Sequence, residues 1–467
     1  MKHTGIKEIN VMCIVMLLFL ISRIFFIFTL NISPDQNFLE DSWQLANLYF
    51  LKNHFYETIK YLNFQPPLWN FYIGFLLKVF KTEAGAILIA HLLNIVSTIV
   101  ILLLLVKTAN LYQLKKNQII FVALLVIVNP AIFFYETFAG YYVHCATFSL
   151  VLFFYLLKKY FENPKKNYEI YIYLLLTSLI YIWSAFSFFV LLIFFTINII
   201  FKIKKNITIK SSIYIFVVFL LVSLLPSIKN YNQIKYFSNG SHGMGWHIAM
   251  TTSSIKNDFT LHHECGPWSS TEIDNNKYIE KYNVADKNLS ITNLPNKNFN
   301  NRNQLGRIFK SQKCEKKAIK YIGENLGLWI RSRLVEFFIS HGQLAIDISF
   351  ITKPHLKNFD KYEKYLKKIH KNNQSKIIKQ FLLISYFFII YVYFFRFIFF
   401  TNKRNVDNFA YITIFILYFY LLSIGTIFSN YEGSKFIQVG IIVQILFWIN
   451  IIKDYNNYKL DNKQKAV

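Results

Sequence analysis

Apolar stretches long enough to cross a membrane recur from one end of this chain to the other, and charged residues fall almost wholly between them. A transmembrane helix needs ~20 largely apolar residues. With 54% hydrophobic and only 16% charged residues, the chain has too little polar surface to enclose one soluble core. The pattern specifies a polytopic membrane protein. The first stretch, residues 9–30, has the look of a secretory signal, but it contains Arg23 and lacks a small-residue cleavage site, so it reads as an uncleaved span. The net charge of +26 is dispersed, and no nucleic-acid motif accompanies it. Attraction to anionic headgroups and lipid phosphates accounts for it better, although the Lys, Asn, Ile and Phe richness also fits AT-rich coding.

Basic connectors set the topology, because cytoplasmic loops carry the Lys and Arg excess. The N-terminus, residues 107–116, 158–166, 202–210, 403–404 and the tail after Lys453 read as inside. The acidic loop at 31–82, the Glu136 region, the polar stretch 229–376 and residues 429–435 read as outside. The apolar run 170–201 is basic at both ends, and as one helix it would reach about 48 Å, too long for a single pass. Two short passes turning near Trp183–Ser184 are expected instead. Pro67 to Phe80 is short for a span and is expected to lie flat on the outer surface.

The expected fold is an all-α polytopic protein of the plasma (inner) membrane, with about ten transmembrane helices and both termini inside. Residues 1–228 would form an N-terminal membrane module, 229–376 an extracytoplasmic insertion with an amphipathic helix, and 377–467 the C-terminal hairpins and tail.

Three acids, Asp35, Glu40 and Asp41, stand just behind the first span in SPDQNFLEDSW. Acids at a membrane surface beside an aromatic-rich segment suit chemistry on a lipid-borne substrate. They also suit helix capping and helix N-terminal charge. Glu136 is a lone acid between two apolar runs, flanked by Tyr135 and followed by His144. Ionisable groups there point to function, although a solvated interfacial Glu and a hydrogen-bonded His are the plainer readings. In the insertion, LHHEC (His262, His263, Glu264, Cys265) has metal-ligand residue types without a spaced partner pair, so no metal site is assigned. Cys265 and Cys314 both fall on the outside and could pair. Apolar positions from Ile319 to Phe338 form one amphipathic face.

Several stretches, in order, resemble motifs of the GT-C superfamily of membrane glycosyltransferases, among them the bacterial relatives of dolichyl-phosphate-mannose protein mannosyltransferases and of the lipid A aminoarabinose transferase. QPPLWNFYIGFLLKVF is similar to H-P-P-L-Y-x-x-L-L-x-x-L-x-K-L-F, with Gln65 in place of His. NPAIFFYETFAGYY resembles the second outer loop. LLPSIKNYNQIKYFSNGSHGMGWHI resembles P-W-x-x-R-N-Y with a Gly-rich sequel, carrying Ser227 and Lys229 in place of Trp and Arg. IGENLGLWIRSRLVEFF is similar to an E-N-P helix, and NYEGSKFIQVGIIVQIL to a late E-x-x-R pattern with Lys435 in place of Arg.

The resemblance implies an inverting transfer of a sugar from a polyprenyl-phosphate donor to a lipid, glycan or protein acceptor on the extracytoplasmic face. A carboxylate must take the acceptor proton, because a neutral hydroxyl is a poor nucleophile. Asp41 is the first candidate and Asp35 its rival, with Glu40 beside them. Cations must hold the leaving phosphate. Lys229 with Asn230 and Tyr231 comes first, Lys435 with Glu432 second, and Arg331 and Arg333 third. Gln65, Pro66, Tyr135, Glu136 and His144 are the expected substrate contacts. The cofactor is unknown; a divalent cation is compatible with this chemistry and not required. An O-antigen-type polymerase, a lipid-linked glycan transporter or flippase, and a non-catalytic scaffold are the competing classes. The acidic first loop and QPPLW favour the transferase.

Overall fold

The computed structural model describes residues 2–29, 33–34, 45–46, 48–63, 65–137, 142–183, 186–234, 237, 248–249, 251–252, 255, 260–265, 305–342, 356–357, 409, 412–417, 419–420 and 449. Among these, the chain is helical apart from a two-residue antiparallel pairing. The stretches Ile9–Thr29, Glu83–Leu111 and Lys210–Gln233 are long and apolar enough to cross a bilayer, which makes this a helical membrane protein.

The bundle starts with α1 (Lys2–Ile24), which runs into a π-helical turn at Phe25–Thr29. After β1 (Ser33–Pro34) come three short helices, α2 (Leu48–Asn53), α3 (Phe55–Lys60) and α4 (Pro67–Phe80). Pro67 occupies the first turn of α4, where a missing N–H costs nothing. Lys81, in the left-handed region at φ 60°, ends α4. Thr82 then caps α5 (Glu83–Leu111), its side chain accepting from Gly85 N–H at 3.1 Å, and Glu83 suits the positive helix end.

Next are α6 (Lys116–Ile127) and α7 (Pro130–Thr137). They are one path broken by Pro130, which has no N–H to donate; Asn129 caps the second piece, accepting from Ile132 N–H at 3.3 Å. Then α8 (Val143–Glu162), α9 (Lys166–Ile182), α10 (Phe189–Lys204) and α11 (Lys210–Ile234) complete the core. The run 170–201 is thus split, as expected: α9 stops at Ile182 and α10 starts at Phe189. Central packing comes from α5 on α8, α8 on α9, and α9 on α11.

Contacts between chain-distant residues show which helix ends share a side. At one end, the Lys158 ammonium stands 4.6 Å from the Tyr112 ring centroid, joining the ends of α5 and α8. Glu169, Lys202 and Ser212 meet there too, joining α9, α10 and α11. The basic connectors 107–116, 158–166 and 202–210 therefore share that end. At the other end, Arg23 of α1, Glu136 of α7, His91 and Thr98 of α5, and His144 of α8 converge.

The end of α1 and the start of α5 lie at the same end of the bundle, and α4 precedes α5 there. One side of α4, with Trp69, Ile73, Leu76 and Leu77, packs inward. The other exposes Leu68, Phe71, Phe75 and Val79. An apolar outer side suits hydrocarbon rather than water. At Gly74 the packing is close: an added Cβ would lie 2.5 Å from Phe55 Cε2 of α3.

Beyond α11, α12 (Thr260–Cys265), α13 (Leu305–Glu324) and α14 (Leu326–Gly342) form a small unit of their own. Cys265 and Cys314 are disulfide-bonded, and Ile248, Ala249, Ile255, Ala318 and Ile322 bury around the bridge. Trp329 Nε1 donates to Thr251 Oγ1 at 3.0 Å. The single amphipathic face expected from Ile319 to Phe338 does not form. The helix breaks at Asn325, Ile322 turns into the disulfide core, and Leu326, Leu328, Ile330 and Leu334 stay exposed. The last described strand, β2 (Leu356–Lys357), pairs with β1.

Candidate functional site

Asp35, Glu40 and Asp41 lie outside the described residues, as do Glu432 and Lys435. The chain on both sides of the three acids is described, and it is held in place. Ser33 and Pro34 pair with Lys357 and Leu356, so the start of the acidic loop is tied to the far side of the insertion. At the other end of the loop, Ala46 N–H donates to Asn70 Oδ1 of α4 at 2.7 Å. Further on, the last turns of α11 grip the loop. Lys229 Nζ donates to Leu62 O at 2.5 Å, Asn230 Nδ2 to Asn63 O at 3.4 Å, and Gln233 Nε2 to Lys60 O at 3.2 Å. Lys229 and Asn230 therefore lie against the first loop, and Tyr231 beside them is exposed.

Pro226 shapes this end of α11. It cannot donate to the carbonyl of Val222 four residues back; Tyr181 O–H of α9 does so at 2.7 Å. The Val222 carbonyl is thus satisfied within the bilayer despite the proline. Gln65 sits at the junction before α4 with Pro66 buried next to it. The Gln65 Oε1 atom is buried and has no hydrogen-bond partner among the described residues.

Glu136 is not solvated: it is 1% exposed and forms the centre of a polar node. Arg23 Nε and Nη2 donate to its two carboxylate oxygens at 2.7 and 2.8 Å. Thr98 O–H donates to Oε2 at 2.6 Å. His144 Nε2, fully buried, lies 3.2 Å from Thr98 Oγ1 and 3.1 Å from Asn94 O. A carbonyl only accepts, so Nε2 carries the proton of His144. The backbone carbonyl of Glu136, at the end of α7, accepts from Asn94 Nδ2 and His91 Nδ1, each at 3.1 Å. Arg23 Nη1 donates to Ile127 O at 3.2 Å, a carbonyl set free by the Asn129–Pro130 break. The guanidinium lies 4.4 Å from the Phe19 ring centroid and 5.3 Å from that of Phe133. Side chains of neighbouring helices thus answer the carbonyls of Ile127 and Glu136, as the absence of water in a bilayer requires. Tyr135 is buried beside this node.

A second ionic node at the opposite end is one that sequence reading missed. Glu169 accepts from Lys202 Nζ at 2.8 Å and from Asn198 Nδ2 at 2.7 Å, while Tyr160 O–H donates to Asn198 Oδ1 at 2.6 Å. Lys202 also donates to Ser212 Oγ. Four helices are pinned together there. Both Glu169 and Lys202 had the look of connector charges.

Elsewhere, Arg331 is exposed on α14, whereas Arg333 is buried and its Nε donates to Ser332 Oγ at 3.2 Å. In LHHEC, Glu264 is ion-paired with Lys317, and Cys265 is committed to the disulfide. Comparison of the chain with protein families, curated proteins and solved structures gives no match.

Proposed function

We propose that the chain is an inverting glycosyltransferase that moves a sugar from a polyprenyl-phosphate donor to an acceptor at the extracytoplasmic face of the plasma membrane. One observation supports this above the others. The acid-bearing loop is fixed on both flanks, and the cation at the end of α11, Lys229, is laid against it. Base and phosphate partner must be brought together in such a reaction, because positioning both reactants supplies much of the rate, and Lys229 holds the later part of the same loop, at Leu62. In this reading Asp41 takes the proton of the acceptor hydroxyl, the hydroxyl oxygen attacks the anomeric carbon, and the polyprenyl phosphate leaves toward Lys229. Gln65, with a buried acceptor atom at the end of the loop, faces sugar hydroxyls.

About ten spans, with both termini inside, complete the proposal. Two independent features support the orientation. Three basic connectors share one end of the bundle, which suits the cytoplasm. The disulfide unit follows α11 at the other end, and disulfides persist in oxidising compartments.

A lipid-linked glycan transporter is the second reading. It is favoured by the broken α6–α7 path, Pro226 within α11 and the buried Arg23–Glu136 pair, since transporters use interrupted helices and intramembrane charges. The two readings separate in purified protein reconstituted in vesicles with polyprenyl-phosphate sugars and membrane acceptors. A transferase makes a new glycosidic product, seen by mass spectrometry, together with free polyprenyl phosphate. A transporter leaves the donor intact and moves it across the bilayer.

A further inference from the structure

The exposed side of α14 is composed unlike a water-facing helix. Leu326, Ile330 and Leu334 follow one another at successive turns and are 51%, 44% and 52% exposed. Leu328 and Val335 are exposed beside them, with Arg331 between. Trp329 packs against the disulfide core, and Arg333, one turn further on, is buried. The helix is thus turned inside out relative to its own small unit. Trp329 faces the disulfide core and the aliphatic arc is exposed. A contiguous aliphatic arc of this kind marks an interaction surface.

We infer that α14 lies in the outer interface of the bilayer, with the Leu326–Ile330–Leu334 arc in the acyl region and Arg331 reaching an anionic headgroup. Three observations select lipid as the occupant. The unit follows α11 where that helix leaves the membrane-spanning bundle, so a bilayer surface is adjacent. Lys and Arg outnumber Asp and Glu eight to three across residues 305–342, which complements anionic lipid. The same charge repels the competing covers. A second copy would present an equally basic unit, and the parts of the remaining chain read as outside, residues 343–376 and 429–435, carry nine Lys and Arg against four Asp and Glu. An arginine within an aliphatic arc is no obstacle at an interface, because its long stem lets the guanidinium rise to phosphate level. The inference does not depend on the glycosyl-transfer reading.

The test uses the full-length protein with Cys13→Ser and Cys145→Ser, reconstituted in vesicles of phosphatidylcholine and phosphatidylglycerol. Nitroxide labels are attached through Ile330→Cys or Leu334→Cys, with Lys316→Cys on α13 as the polar reference. Non-reducing electrophoresis verifies that Cys265–Cys314 remains closed. Collision rates with oxygen and with a water-soluble nickel chelate report depth. Labels at 330 and 334 are expected to favour oxygen, and the label at 316 the nickel chelate. Omitting phosphatidylglycerol, or adding Arg331→Glu, should shift the 330 and 334 labels toward water. Nickel preference at 330 and 334 would overturn the inference, because the arc would then face solvent. Shielding from both reagents would also overturn it, in favour of a protein cover. An unchanged depth in both the lipid and the Arg331→Glu experiments would refute the headgroup contact.

Discussion

Arg23 and Glu136, 113 residues apart in sequence, meet as a two-pronged ion pair inside the helix bundle, with bonds of 2.7 and 2.8 Å. The pair ties the end of α1, from which the acidic loop departs, to the end of the broken α6–α7 path. It also commits the one acid between α6 and α8 to a partner, so any contact of Glu136 with substrate would have to pass through this node.

Removing one member leaves the other buried without its counter-charge, which typically costs about 3–5 kcal/mol. Arg23→Ala should therefore lower the melting temperature of the detergent-purified protein sharply. Combining Arg23→Met with Glu136→Leu removes both charges and should recover much of the loss. A single Arg23→Ala variant that melts with the parent would show that the pair contributes nothing.

At Gly74 a methyl group would come within 2.5 Å of the buried Phe55 ring, so the ring or α4 would have to shift. Overpacking of this kind costs about 1–3 kcal/mol. Gly74→Ala should destabilise, and adding Phe55→Leu should relieve it. Equal melting of Gly74→Ala and the parent would mean that α3 does not seat on α4.

Lys229 carries two expectations. Its ammonium holds the first loop through Leu62 O, and in the proposed reaction it binds phosphate. Losing a charge-assisted bond is worth about 1.5–3 kcal/mol, so Lys229→Ala should weaken donor binding by that amount in titrations. Lys229→Arg keeps the charge and should be tolerated. If both variants titrate like the parent, Lys229 serves only to hold the first loop through Leu62 O.

Sidedness can be read with reporters. A fusion after Lys204 should report inside, and one within residues 288–301 outside. The opposite report at either site would contradict the ten-span arrangement.

How much of this was legible beforehand follows from the physics of each element. Apolar length and basic connectors gave the membrane class, the α9–α10 split and the shared end of three connectors, because hydrophobic burial and headgroup charge act on composition. The pairing of Arg23 with Glu136 escaped, although a lone cation in the first apolar stretch and a lone anion between two later ones were a usable signal. Glu169 and Lys202 escaped because terminal charges look alike whether they face water or turn inward. The Asn325 break escaped because α13 and α14 bury different sides, which a single periodicity cannot express. For the acids themselves, the sequence supplies the proposal and the structure describes only the anchored flanks.

The central claim is that the first loop carries the base for glycosyl transfer, and exchange of its acids tests it most directly. Removing a general base typically slows a reaction ~100- to 10,000-fold. Asp41→Asn keeps shape and hydrogen-bonding capacity but cannot take the proton. In reconstituted vesicles with a polyprenyl-phosphate sugar, the Asp41→Asn protein is expected to fold, to bind donor nearly as the parent does, and to lose transfer. Asp35→Asn should lose less. Full transfer by Asp41→Asn with none by Asp35→Asn would move the base to the neighbouring acid. Undiminished transfer by both would contradict the account.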